Sequence, residues 1–188
     1  PILITYLSQI HPNEFTAIRG MVHEYGYLKH LRDNLGIKGV QKVTCHQPLT
    51  GNRKFIFITL DRGTPPTEVW RALYGLQAQQ RASGKFVIAI DDDIDPRNLD
   101  SVLWALAFRS SPHLDFQIIS HKDPGHGPSE MITGGEDSAL LVNAMQKRDY
   151  PPVALPKREY MEHARTIWED KLGLPKLKPE APWFGYSL

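Results

Sequence analysis

FVIAIDDDIDP, at residues 86–96, carries the strongest fold signal in the chain. Its first five residues are apolar and mostly β-branched or aromatic, which is typical of a strand buried on both faces, as in a parallel sheet. Pro96 cannot extend a strand ladder, but it fits the first turn of a helix. The stretch therefore predicts a β-loop-α unit whose carboxylates lie at the carboxyl end of a strand. Open α/β sheets place their ligand or interface chemistry there.

The helix predicted after Pro96 carries apolar residues at helical spacing up to Arg109. The stripe consists of Leu99, Val102, Leu103, Leu106 and Ala107, and it is widened by Trp104 and Phe108. An earlier helix beginning at Glu14 is predicted in the same way. Its candidate face consists of Phe15, Ile18, Val22 and Tyr25.

The acidic run between strand and helix, Asp91, Asp92, Asp93 and Asp95, has two interpretations. Several carboxylates together could hold a divalent cation. Alternatively, they cap the following helix, complement its dipole and anchor neighbouring backbone. We favour a structural role, because a buried Asp–Arg pair with Arg109 behind the strand end would explain both residue types without chemistry. A dinucleotide fingerprint is absent, since no Gly-rich turn precedes the helix.

The rest of the chain alternates strands and helices. Strands are predicted at 2–7, 40–45, 55–60, 116–120 and 140–142, and further helices after residue 64 and at 159–172. This order predicts an α/β fold: a three-layer α-β-α sandwich with a mixed, mostly parallel sheet and an extended C-terminal helix and tail. We place the α/β domain at 1–150. Residues 151–188 form a linker, a helix and a proline-spaced aromatic tail.

Composition and charge argue against nucleic-acid binding, binding to anionic lipid and a membrane span. With 22 basic and 21 acidic residues, the net charge of +1 gives no electrostatic signature of nucleic-acid or anionic-lipid binding. No apolar run reaches the roughly 18 residues of a membrane span, and no signal peptide is visible. The one cysteine, Cys45, excludes an intramolecular disulfide and predicts a packed thiol in a cytoplasmic protein.

The Gly- and Pro-rich segment 121–136 is the most irregular part of the chain. His121, Asp123 and His126 could be interpreted as a metal triad. A spacing of five positions between the two histidines fits no common ligand pattern, so a flexible loop near a partner surface is favoured. We therefore assign no metal ligand in this sequence.

Three long motifs carry a family resemblance. VIAIDDDIDPRNLDSVLWALAFR, followed by Ser111, Pro112 and Asp115, resembles the C-terminal domain of the UbiD family of decarboxylases. ALLVNAMQKRDYPPVALPKREYMEHARTIWE and LGLPKLKPEAPWFGYSL resemble the tail of its branch acting on hydroxylated aromatic acids, such as protocatechuate, gallate and vanillate. One departure is Asn143-Ala144-Met145, where the family tends to have Asp-Ala-Thr.

The resemblance implies removal of CO2 from a hydroxybenzoate-like acid with prenylated FMN, a divalent metal and K+. In this family the cofactor and the catalytic Glu-Arg-Glu/Asp network belong mainly to a preceding flavin-binding domain, and nothing in residues 1–188 resembles it. We therefore expect no catalytic residue and no bound cofactor on this chain alone. Expected partners are a flavin-binding domain or subunit, further copies of the chain, and a flavin prenyltransferase as cofactor source. The alternative is a non-catalytic assembly subunit that completes or oligomerises a separate flavin-binding subunit.

The resemblance also implies positions for individual residues. Ser8, Gln9, His11 and Met145 are candidates for the substrate cleft, and Asn143 and Lys147 for a place near the cofactor. For Lys147 an exposed basic pair with Arg148 is an equally good interpretation. The aromatic residues of the tail are expected to dock on a neighbouring domain or subunit, because aromatic side chains concentrate binding energy at interfaces. They are Trp183, Phe184 and Tyr186.

Overall fold

A mixed sheet forms the centre of the fold, and in the described part of the chain it has five strands in the order β1-β2-β3-β5-β4. The computed structural model describes residues 14–46, 53–80, 84–123, 136–147 and 156–176, with side chains from residue 18 onward. The strands are β1 (Val40–Cys45), β2 (Phe55–Leu60), β3 (Phe86–Asp91), β4 (Phe116–Lys122) and β5 (Asp137–Asn143). The predicted bounds of β1 and β2 are confirmed. The predicted strand at 2–7 lies outside the described residues.

The three central strands run parallel, and both edge strands run antiparallel to their neighbours. Leu60 on β2 pairs with Asp91 on β3, and Ala89 on β3 pairs with Asn143 on β5. The predicted α/β class and mixed sheet are confirmed. Because β2, β3 and β5 are parallel and in register, their carboxyl ends meet at one edge of the sheet, which we call the carboxyl edge.

The helices are α1 (Glu14–Lys29), α2 (Pro66–Gln79), α3 (Leu99–Arg109), α4 (Pro112–Asp115) and α5 (Arg158–Thr166). A π-helical turn continues α1 over His30–Asn34, and another continues α5 over Ile167–Lys171. The predicted C-terminal helix is therefore present, and it has no buried residue. None of the described helices is long and apolar enough to cross a membrane.

Side chains of β3 alternate between two apolar layers. Val87 and Ala89 contact the cluster that α1 and α2 form on one face of the sheet, whereas Ile88 and Ile90 contact the cluster under α3 on the other. The first cluster includes Tyr27, Leu31, Val69, Ala72, Leu73 and Leu76, and the second includes Phe57, Val102, Ala105 and Val142. A sheet with helices on both faces matches the predicted three-layer sandwich.

The buried face of α3 differs from the apolar stripe that its sequence suggests. The helix buries Ser101, Val102, Ala105 and Arg109 against the sheet. Leu99, Leu103 and Phe108, which belong to the stripe, are each more than half exposed. Arg109 lies on this buried face because its guanidinium pairs with the buried carboxylates of Asp91 and Asp93. Val102 of the predicted stripe is buried and Leu106 is partly buried, so apolar spacing identified the packed face only in part.

The same correction applies to α1. Ile18, Val22 and Tyr25 share a face as predicted, but that face is exposed. The helix packs on the sheet through Tyr27 and Leu31, which are fully buried. Both helices thus present an apolar surface on the side away from the sheet.

Candidate functional site

The carboxyl edge of the sheet collects the polar residues that the sequence singled out. Asp91 is the last residue of β3 and Asn143 the last residue of β5. Arg62 follows the end of β2 by two residues, and it is brought to the same place by the parallel pairing of β2 with β3. The residues that follow these three strands form the candidate site.

A buried ion cluster lies at the centre of this edge. Arg109, at the end of α3, donates from Nη1 to Asp91 Oδ2 at 2.8 Å and to Asp93 Oδ1 at 2.7 Å, and from Nη2 to Asp93 Oδ2 at 2.7 Å. The side chains of Arg109 and Asp93 are 1% exposed, and that of Asp91 is 0% exposed. The guanidinium also lies over the Trp104 ring, 5.1 Å from its centroid. The buried Asp–Arg pair expected from the sequence is therefore present.

Arg62 supplies a second positive charge from the surface. Its Nη2 lies 3.1 Å from Asp93 Oδ2, and its Nε lies 3.4 Å from Asp92 Oδ1. One buried guanidinium facing two buried carboxylates would leave one uncompensated negative charge. Arg62, which is partly exposed, offsets that charge while remaining in contact with water.

Asp91 is the carboxylate of the cluster with the least complete set of hydrogen bonds among the described residues. Its Oδ2 accepts from the backbone N–H of Gln146 at 2.6 Å, while its Oδ1 has no hydrogen-bond partner among the described residues. Burial raises the pKa of the Asp91 carboxyl above its usual value. The Gln146 N–H and Arg109 reduce this shift, and Asp93 increases it. The side chain thus ties the end of β3 to the segment after β5.

Capping of α3 is achieved by a residue outside the acidic run. Asn98 Oδ1 accepts from the N–H groups of Asp100 at 3.1 Å and Ser101 at 3.3 Å, so Asn98 is the N-cap. Asp95 instead holds the preceding turn by accepting from the N–H of Arg97 at 2.9 Å. The proposed capping by Asp91 to Asp95 is therefore wrong in detail. Among the described residues, no group of three or more His, Cys, Asp or Glu could hold a metal ion.

The segment after β5 carries three of the sequence-predicted site residues. Asn143 is buried, and its Oδ1 accepts from the N–H of Met145 at 3.1 Å. Met145 is buried in the apolar cluster under α1 and α2. Lys147 Nζ donates to the carbonyls of Arg109, Asn143 and Met145 and lies beside Asp115. Their roles at a substrate or cofactor remain predictions.

Other predicted residues lie apart from this edge or outside the described ranges. Ser8, Gln9, His11, His126, Trp183, Phe184 and Tyr186 fall outside the described residues. His121 Nδ1 lies 2.8 Å from Glu136 Oε2 at an exposed position. Cys45 is buried, and burial together with Glu24 raises the pKa of its thiol to about 12. Cys45 is therefore a packed thiol, as predicted, and a poor nucleophile.

Sequence reasoning missed Arg62 and assigned Asp115 no role. The missing signal for Arg62 was strand pairing, since a residue just after β2 must lie beside a residue just after β3 once the two are parallel. Asp115 Oδ2 accepts from the N–H of Ser111 at 2.7 Å, which closes the short helix α4. Its other oxygen lies 3.1 Å from Lys147 Nζ.

The described part of this edge is held together by ion pairs. Arg62 and Arg109 both face carboxylates, and the acidic run makes the surroundings unfavourable for a phosphate group. The described residues therefore do not fit the phosphate of a flavin by themselves, and we derive no chemical step on such a group. The cluster can fix the relative positions of α3 and the segments after β3 and β5.

Comparison with known proteins places this architecture in a family. Residues 16–128 match the UbiD family's C-terminal domain, described as the 3-octaprenyl-4-hydroxybenzoate carboxy-lyase C-terminal domain. A phenolic acid decarboxylase of Bacillus subtilis is 29% identical over 132 residues, 68% of this chain and 22% of that protein. A phenolic acid decarboxylase of Sedimentibacter hydroxybenzoicus is 31% identical over 96 residues, 47% of this chain and 18% of that protein.

Solved structures share the fold. The UbiD-class enzyme HmfF from Pelotomaculum thermopropionicum, in complex with FMN, superposes with a TM-score of 0.67 at 18% identity, over 80% of this chain and 34% of that chain. Vanillic acid decarboxylase of Sedimentibacter hydroxybenzoicus in open form superposes with a TM-score of 0.61 at 19% identity, over 84% of this chain and 35% of that chain. The chain spans about a fifth of the curated relatives and about a third of these structures. Since the family match covers more than half of its residues, the chain belongs to the UbiD family through that family's C-terminal domain.

Proposed function

We propose that this chain is the C-terminal part of a UbiD-type carboxy-lyase that removes CO2 from an aromatic, hydroxybenzoate-like acid with prenylated FMN. The observation that carries the proposal is the family match, which runs through β3, the acidic run and α3 and thus through the whole buried ion cluster. In this proposal the carboxyl edge forms one wall of the substrate cleft, and the domain also supplies oligomer contacts. The division into a domain at 1–150 and a docking segment at 151–188 belongs to the same proposal.

The cofactor is proposed to bind mainly to a separate flavin-binding domain or subunit, together with a divalent metal and K+. Structures of the similar enzyme HmfF contain FMN and prFMN, which supports a flavin in the family. The acidic character of the carboxyl edge supports flavin binding elsewhere, because carboxylates repel a phosphate group. A flavin prenyltransferase would supply the cofactor, and a cytoplasmic location remains a prediction.

The substrate class rests on the names of similar proteins, which include phenolic acid and vanillic acid decarboxylases. In this proposal Asn143 and Met145, which stand where the family usually has Asp and Thr, act on the cleft from beneath its surface, because both side chains are buried.

The test combines the chain with its flavin-binding unit. The 188-residue chain is produced alone, and together with the flavin-binding domain of its own polypeptide or its natural partner subunit, both in cells containing a flavin prenyltransferase. We expect the chain alone to be colourless and inactive. The combination is expected to co-elute with flavin absorbance and to release CO2 from hydroxybenzoates. Flavin binding or turnover by the chain alone, or failure of the two parts to associate, would contradict the proposal.

A non-catalytic assembly subunit is the second candidate. One observation favours it: the similar vanillic acid decarboxylase is a two-component assembly. If it is correct, the flavin-binding unit retains its turnover rate without this chain and only its oligomeric state changes. If the cleft-wall proposal is correct, removing the chain abolishes turnover.

A further inference from the structure

The ammonium group of Lys147 is surrounded by oxygen atoms from three separate segments. Its Nζ lies 3.0 Å from the carbonyl oxygen of Arg109, 3.1 Å from that of Asn143 and 3.0 Å from that of Met145. The fourth oxygen is Asp115 Oδ1, at 3.1 Å. Arg109 ends α3, Asp115 ends α4, and the other two residues belong to the turn after β5, residues 143–147. One cation thus joins three pieces of the carboxyl edge.

These carbonyl groups belong to buried residues and need a donor. Arg109, Asn143 and Met145 are all buried, so their backbone oxygens have little access to water. An ammonium group has three N–H donors, fewer than the four oxygens around it, so at least one donor is shared. The group therefore acts through its charge as well as through directed hydrogen bonds. Carbonyl oxygens with one carboxylate are also a ligand set that suits a potassium ion, which is close to ammonium in size.

We propose that Lys147 is a positioning residue whose ammonium group serves as a built-in monovalent cation. It fixes the shape of the turn after β5 against α3 and α4. Truncating its side chain leaves an oxygen-lined site that a free potassium or ammonium ion can occupy. This role is independent of the proposed decarboxylase function, since it concerns only contacts within the described residues.

Lys85 provides a matched control within the same chain. Its Nζ lies 2.9 Å and 3.1 Å from the two oxygens of Asp137. Lys85 and Lys147 have nearly equal side-chain exposure, 36% and 37%, and their Asp partners are 9% and 8% exposed. The two lysines therefore differ chiefly in the backbone carbonyls that only Lys147 contacts among the described residues. A loss of stability seen only on substitution of Lys147 is therefore attributable to its contacts with those carbonyls and not to an ordinary ion pair.

The experiment measures thermal unfolding of Lys147→Ala and Lys85→Ala in NaCl, KCl and NH4Cl at equal ionic strength. In NaCl we expect Lys147→Ala to unfold about 5 °C or more below wild type, and Lys85→Ala within about 2 °C of it. KCl and NH4Cl are expected to restore about half of the loss in Lys147→Ala, because a ligand that binds the folded state stabilises it. Neither salt should act selectively on Lys85→Ala.

Two results would overturn the proposal. One is a decrease in unfolding temperature for Lys147→Ala that is no larger than the decrease for Lys85→Ala. The other is a response to KCl and NH4Cl that is the same in both variants. Lys147→Arg adds a further check, since a planar guanidinium cannot point its donors at three converging carbonyls and should not restore wild-type stability.

A measurement on the wild-type chain covers the case in which Lys147→Ala fails to fold. Nitrogen-15 NMR of lysine ammonium groups should show the Lys147 protons exchanging with water at least about tenfold more slowly than those of Lys85, because the surrounding carbonyls hold them. Equal exchange rates for the two groups would contradict the built-in cation.

Discussion

Asp91 and Asp93 are two residues apart and share one arginine, yet their surroundings differ. Both oxygens of Asp93 accept from Arg109, and one of them also faces Arg62. Asp91 uses one oxygen for Arg109 and the Gln146 N–H, and its other oxygen has no partner in the described part of the chain. A buried ion pair loses most when removal of one member leaves the other charge uncompensated. Asp93 is therefore the residue on which the cluster depends most.

Substitution by asparagine should distinguish Asp93, the bidentate partner of Arg109, from Asp91, which pairs through one oxygen only. We expect Asp93→Asn to lower the free energy of unfolding by about 3 kcal/mol or more, because the guanidinium of Arg109 loses its bidentate partner in a buried place. Asp91→Asn should cost less than about 2 kcal/mol, since the amide oxygen can still accept both existing hydrogen bonds. Urea unfolding at neutral pH measures both values. Asp92→Asn, at a half-exposed position, is the control and should change stability by less than about 1 kcal/mol. Equal losses for the two buried positions would refute this assignment.

The raised pKa of Asp91 predicts a pH dependence with a definite sign. The folded-state pKa lies above that of the unfolded chain, so the unfolded chain loses this proton first as the pH rises. Ionised Asp91 therefore costs the folded state stability from about pH 4 upward, and protonated Asp91 does not. Asp91→Asn lacks this titration. Its stability relative to wild type should improve as the pH rises from about 4 to 7, as measured by urea unfolding. A difference that stays constant or falls would show that the pKa is not raised.

At the scale of one element, α3 shows how burial departs from hydrophobicity. Its sequence carries large apolar residues on several sides, so the apolar pattern cannot select the face that packs. The face toward the sheet carries Ser101, Val102 and Ala105, together with Arg109, which reaches the buried carboxylates. The need to place Arg109 beside Asp91 and Asp93 therefore fixes the rotation of the helix. Leu99, Leu103 and Phe108 are exposed as a consequence.

Neighbouring residues of α3 should respond very differently to truncation. Val102→Ala is expected to lower the free energy of unfolding by about 2 kcal/mol, because it removes buried methyl groups from the cluster under the helix. Leu103→Ala removes more apolar atoms but should change stability by no more than about 0.5 kcal/mol, since its side chain is exposed. Both variants are compared by denaturant unfolding of the 188-residue chain. A larger loss for Leu103→Ala would mean that the helix is rotated from the described orientation.

At the scale of the whole molecule, the layers approach closely at Gly84, just before β3. Gly84 has a φ of +61°, and a Cβ added there would lie 2.5 Å from Val87 Cγ2 and 2.9 Å from Gln77 Nε2. Its N–H donates to the carbonyl of Arg53 at 2.8 Å, and its own carbonyl accepts from Gln77 on α2. One glycine thus joins β3, α2 and the start of β2. Any side chain here would separate these elements.

Gly36 provides a control with the same backbone conformation but without crowding. Its φ is +63°, and a Cβ added there would meet nothing within 4 Å. Gly36→Ala is expected to cost about 1 kcal/mol for the left-handed conformation alone. Gly84→Ala should cost roughly 3 kcal/mol, because close contacts with Val87 and Gln77 add to that strain. Comparison of the two by urea unfolding isolates the packing contribution, and equal costs would argue against the described closeness of α2 to β3.

Much of the fold could be predicted because its signals are local. The apolar run of β3, the strands at 40–45 and 55–60, and the C-terminal helix follow from residue type and spacing within a few neighbours. The candidate edge was also predictable, since carboxylates after a buried strand mark its carboxyl end. Even the pairing of an Asp with Arg109 followed from the rule that buried charges are paired.

The buried faces of α1 and α3, the contacts of Arg62 and the surroundings of Lys147 could not be predicted in this way. Each depends on residues that are distant in the chain, such as Asp115 and Arg109 around Lys147, and no spacing within one segment encodes such a meeting. Residue type and spacing are enough to establish the alternation of strands and helices and the acidic end of β3, because hydrophobicity and backbone preference act locally. Which charges are buried together and which apolar faces stay exposed follows only from the folded chain, because desolvation and packing depend on the whole set of neighbours.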